Sequence, residues 1–182
     1  MQLMPPLPEP EPFPSDPLSA YHRYNRTLQL SMLDFQFIEE ALRMCLIRDY
    51  ALIYFRTKDV LRFNLPIKEL EKDPLGRLIS KFEQFSNDSA LVSSLREMQP
   101  FRNQCAHRGM LLTVEQQRDV QYLAAETAMM EARRKDTQSC FNKILAESQR
   151  LEAILNDPRR RDQVERDEGS SSGSVPGARE KS

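Results

Sequence analysis

The sequence predicts an all-α protein, an antiparallel bundle of about four or five helices with a long C-terminal helix. Three observations carry this. Between residues 17 and 157 the only glycines are Gly76 and Gly109. No run alternates polar and apolar side chains for long, as a half-buried strand would. Apolar residues instead recur at three- and four-residue steps almost everywhere.

Seven of the 12 prolines fall at positions 5, 6, 8, 10, 12, 14 and 17. Residues 1–16 therefore read as an extended, Pro-rich, disordered arm, because proline fixes φ and removes a backbone donor. Asp16-Pro17 then has the form of an N-cap followed by a proline in the first helical turn. One long helix should follow to about Arg56, with room for a bend near Asn25. Phe35, Ile38, Leu42 and Cys45 mark one face; Leu33, Phe37, Met44 and Ile47 mark a second. A helix apolar on two sides is expected at the centre of a bundle.

Asp73-Pro74 repeats the cap-and-proline signal ahead of Leu75, Leu78, Ile79, Phe82 and Phe85. Asn87 or Asp88 can cap the next helix, which carries Leu91, Leu95 and Met98. Thr113 with Gln116 three residues on has the capping-box form. From there one seam runs to Leu155 through Val120, Leu123, Thr127, Met130, Arg134, Thr137, Phe141, Ile144, Ser148 and Leu151. It weakens at "ARRKDTQ", where a bend or a departure from the bundle is expected. Such a seam can pair with a second chain, although packing within the chain is its commoner use. Residues 158–182 hold Gly, Ser and mixed charge with almost no apolar side chain, and their composition predicts disorder. The helical domain thus spans 17–157.

Composition excludes several classes of function. Formal net charge is -1, from 26 basic and 27 acidic residues, so no strongly basic DNA-binding domain is indicated. The opening "MQLMPPLPEP" lacks the basic start and apolar run of a secretory leader. The most apolar segment, "MCLIRDYALIYF", is broken by Arg48 and Asp49, so no membrane span is expected. Cys45, Cys105 and Cys140 are odd in number and far apart, which points to reduced thiols and a cytoplasmic setting. Cys105 and His107 lack the further ligands a metal site needs, so neither metal nor other cofactor is expected.

The stretch that invites chemistry is "PFRNQCAHRG", residues 100–109. Proline disfavours helix at the residue before it, so Gln99 should end one helix and Pro100 start another, with Gly109 suited to a C-cap. On such a turn Asn103 and His107 share a face. Arg102 would lie near a helix N-terminus, where free N–H groups and the dipole favour an anion. Arg96 and Arg108 would add positive charge for substrate. Histidine serves as acid and base near neutrality, and arginine forks onto phosphoryl oxygens. Together they suit metal-free cleavage of RNA, in which the 2′-hydroxyl attacks the adjacent phosphorus. Caps and surface partners use the same residue types, so spacing alone leaves both readings open. "YHRYNR", residues 21–26, also interleaves aromatic and basic side chains as single-strand contacts do; its plainer reading is the solvated start of the first helix.

"RNQCAH", Arg102 to His107, resembles the R-x-x-x-x-H signature of the HEPN superfamily, with polar Asn103 directly after the arginine. "LGRLISKFEQF" and "LVSSLREMQPF" are similar to the helices preceding that motif. The resemblance covers about residues 30 to 155, and its six-residue motif is the specific part. It implies a helical, often dimeric domain in which the motifs of two protomers face each other. It also implies a metal-independent endoribonuclease, as in toxins, antiviral defence effectors and RNA-processing enzymes; other members are non-catalytic partner- or RNA-binding modules. Carried over, Arg102 and His107 are catalytic and Asn103 supports them. RNA would be the substrate, a second copy the expected partner, and an antitoxin or other protein a further one. Some members add an acidic residue from an early helix, for which Glu39 and Glu40 are equal candidates. One subgroup has a tyrosine two residues after the histidine, where this chain has Gly109.

Overall fold

Asp16 opens the first helix as the Asp-Pro pair predicts: its carboxylate accepts the Ser19 N–H at 2.8 Å. That helix, α1, runs without interruption over Pro17–Thr57. The computed structural model describes residues 12–58, 60–62, 66–107 and 111–157. After α1 come α2 (Ile67–Leu70), α3 (Leu75–Phe82), α4 (Ser89–His107), α5 (Val114–Arg118) and α6 (Val120–Leu155), and no strand occurs among the described residues. The proposed tail and most of the arm lie outside them. At the arm's described end Phe13 is half-buried against the core, and the Arg23 guanidinium sits 5.3 Å from its ring centroid.

The local signals explain most boundaries. Asp88 accepts the Leu91 N–H at 2.9 Å and so caps α4. The capping box of Thr113 and Gln116 is formed at the start of α5. Asp73 departs from expectation. Pro74 occupies the cap position of α3, while the buried Asp73 carboxylate meets the Lys81 ammonium at 2.7 Å. Lys81, then Arg77, holds that carboxyl below its usual range. The single seam expected from Thr113 to Leu155 is two helices. Asp119 leaves helical geometry (φ -84°, ψ 98°) and accepts the N–H groups of Gln121 and Tyr122, opening α6.

Three long helices make the core. The pairs Asp34–Arg134, Phe37–Phe141 and Arg48–Glu152 ascend together along α1 and α6, so these two run parallel. Cys105 lies by Tyr24 and Glu126, whereas Phe101 meets Phe35 and Met98 meets Thr137, so α4 descends as α1 and α6 ascend. The expected antiparallel arrangement therefore applies to α4 and not to the α1–α6 pair. Phe35, Leu42, Leu95, Leu123 and Ile144 are almost wholly buried among them, and α3 adds Ile79 to the same core. Each such side chain contributes about 1.5–3 kcal/mol relative to exposure.

Helix α6 is unbroken through "ARRKDTQ" and stays in the bundle, where its polar side chains find partners. Arg134 Nε donates to buried Asp34 at 2.6 Å, and the Thr137 hydroxyl donates to the Arg133 carbonyl at 2.9 Å. The Arg48 guanidinium binds Ser148 Oγ and Glu152. Among the described residues no helix is long and apolar enough to cross a membrane.

Asp49, on α1, is half-buried beside Glu147 and Arg150. Burial, then the Glu147 carboxylate, pushes its carboxyl up to about 6. The folded pKa exceeds the unfolded one, so ionising Asp49 destabilises the fold as pH rises from about 4 through about 6. Asp49→Asn should remove that loss. Allowing for solvent screening, it should raise stability at pH 7 by about 1–2 kcal/mol relative to wild type, with no gain at pH 4. Paired denaturant titrations at the two pH values measure this. An equal gain at both would trace the effect to packing rather than charge.

Candidate functional site

The motif lies in the last two turns of a long helix, not at the start of a new one. Pro100 sits inside α4. It removes the hydrogen bond its N–H would make to the Arg96 carbonyl, a cost of about 3 kcal/mol. The buried stripe Leu91, Leu95, Met98, Phe101 and Cys105 continues on both sides of the proline, and its packing outweighs that cost. The N-terminal anion seat expected from the sequence is therefore absent. Arg102 lies near the carbonyl end, where the dipole favours cations. Positive charge for a phosphate must come from side chains alone.

Phe101 faces inward, 7% exposed, with its ring centroid 5.8 Å from that of Phe35. Arg102, one residue on, lies against α1, and Asn103 and His107 are exposed. The last two are four residues apart and share the outer face of α4. Arg102 Nη2 lies 3.6 Å from Glu39 Oε1, with the side chains 33% and 16% exposed. The other Glu39 oxygen lies 3.5 Å from Arg43 Nη2. Arg43 is itself fixed, donating to the carbonyls of Leu70 at 3.1 Å and Asp73 at 3.4 Å. A chain of contacts thus runs from the α2–α3 junction through Arg43 and Glu39 to Arg102. It holds a partly exposed guanidinium on the α1 side of α4, about one and a half turns before the exposed His107.

Glu39 is the residue that spacing could not choose over Glu40. Glu39 and Arg43 are one helical turn apart on the side of α1 facing α4, whereas Glu40 points to solvent with a side chain 58% exposed. The preference follows from the packing of α4 and had no signal in the local sequence.

The remaining candidates separate clearly. Arg96 binds Glu83 across the α3–α4 turn. Its Cα is eleven residues from that of His107, about 16 Å along the helix, so the two do not serve one phosphate. Arg108 and Gly109 lie outside the described residues. Cys105 is buried and His107 exposed, so they do not form a pair; burial pushes the Cys105 thiol up to about 11. On the motif's other flank Gln104 borders a cleft of about 90 Å³ with Tyr24, Tyr122 and Glu126. Within "YHRYNR", Tyr24 is a core residue and Arg23 meets Glu131 at 3.3 Å. That stretch is therefore not a continuous nucleic-acid surface.

Compared with protein-family models, curated proteins and solved structures, the chain matches none.

Proposed function

We propose that the chain is a metal-independent endoribonuclease of HEPN type, acting as a toxin or antiviral defence effector. The observation that carries this reading is the end of α4. In its last two turns a guanidinium anchored through Glu39 is followed along the helix by a solvent-facing asparagine and histidine, in the order the motif requires. In this reading Arg102 binds a non-bridging phosphoryl oxygen and stabilises charge as it develops. His107 removes the 2′-hydroxyl proton, the 2′-oxygen bonds to phosphorus, and the bond to the 5′-oxygen breaks. The products are a 2′,3′-cyclic phosphate and a 5′-hydroxyl, whose proton must come from an acid. Asn103 orients the phosphate from the same face as His107. Glu39 is a positioning residue, holding Arg102 without neutralising it in a closed pocket.

One imidazole does not occupy the base and acid positions at once. A second copy across a two-fold axis supplies the other His107, and the outward orientation of Asn103 and His107 leaves them accessible to it. His22, also exposed, lies near the start of α1.

The test is incubation of purified protein with RNA in excess chelator, with end-group analysis of the products. Fragments ending in cyclic phosphate are expected. RNA left intact at high protein concentration would refute catalysis and favour a helical module that binds RNA or a protein partner.

A further inference from the structure

The second apolar face of α1 is only partly covered by this chain, Phe37 meeting Phe141 of α6 at its edge. Leu30, Leu33, Phe37, Met44 and Ile47 follow one another at steps of three and four, with Glu40 completing the rhythm between Phe37 and Met44. None is buried: Leu33 is 41% and Phe37 37% exposed, although Phe35 and Ile38 beside them are 1% exposed. The reason is geometric. α3, α4, α5 and α6 all pack on α1, α4 at Glu39 and α6 at Asp34, and none of them buries Leu33 or Phe37. A sustained 3-4 rhythm on an exposed helix face is the seam of a helix pair.

The charges within the seam choose its occupant. Arg26 and Glu40 stand seven residues before and after Leu33, both exposed, on the same stripe. A partner copy laid parallel and in register would oppose Arg26 to Arg26 and Glu40 to Glu40. A copy laid antiparallel about a two-fold axis at Leu33 opposes Arg26 to the partner's Glu40 twice, with leucine against leucine at the centre. We propose that this face of α1 is a homotypic interface, occupied by α1 of a second copy running antiparallel. Glu40 loses little by this exchange, since its contact with Arg43 is an exposed one at 3.4 Å.

The interface is separate from the motif. Leu33 lies about 120° round α1 from Glu39, which meets Arg102. Pairing through Leu33 therefore leaves the Asn103–His107 face open to a different copy. The assembly does not depend on RNA cleavage.

The test is the mass of the full-length protein by size-exclusion chromatography with light scattering, at concentrations well above micromolar. Melting curves confirm that each variant is folded. Leu33→Glu should halve the wild-type mass, and His107→Ala should leave it unchanged. Arg26→Glu and Glu40→Arg should each shift the mass toward the half-mass species, and the combined variant should restore it. A wild-type protein that is monomeric throughout would overturn the proposal. So would a Leu33→Glu protein of wild-type mass, or a combined variant no better assembled than its parents.

Discussion

His107→Ala should abolish RNA cleavage while leaving the melting temperature at its wild-type value. The imidazole is exposed at the last residue of α4 and contributes no buried contact, so its removal leaves the core intact. Loss of a general acid or base lowers the rate by about 10²–10⁴-fold. In the proposed shared site both proton transfers would depend on this residue, so the upper end of that range is expected. His22→Ala, on the exposed face of α1, should leave activity near wild type. Dimers of one wild-type and one His107→Ala chain should lose most of their activity. Retention of half would show that each protomer holds a complete site.

Phe101→Ala should act on stability alone. The ring is buried against Phe35, and its loss leaves a cavity between α1 and α4. The expected cost is about 3–5 kcal/mol, visible as a melting temperature lower by roughly 10 °C. Arg102→Ala, one residue on, removes a half-exposed ion pair and should cost no more than about 1 kcal/mol. Its effect should fall on cleavage instead. Thermal melts of the two variants, with cleavage assays at a temperature where both are folded, separate the roles. Equal destabilisation would make Arg102 a structural partner of Glu39 and remove the basis of the site.

The legible part of the site was the motif itself, since Arg102, Asn103 and His107 stand close along one helix. Its context departs from expectation at Pro100, which lies inside α4. The local preference of Gln99 argued for a break, but the buried stripe from Leu91 to Cys105 spans the proline. Packing over several turns outweighed one missing hydrogen bond. With the break went the N-terminal anion seat, and Glu39 and Arg43 emerged as the groups that place Arg102.

The sequence by itself determined the helical class, the capping of α1 by Asp16, the box at Thr113 and the apolar stripes of α3, α4 and α6. Each depends on side chains within about four residues of one another, where helical geometry alone decides which meet. Tertiary structure decided that α1 and α6 run parallel and that Asp34 satisfies Arg134 across 100 positions of sequence. It also decided that Glu39 rather than Glu40 reaches the motif, and that the Leu33–Phe37 face of α1 stays partly open. These outcomes depend on which helix lies beside which, and spacing along one helix carries no record of its neighbours.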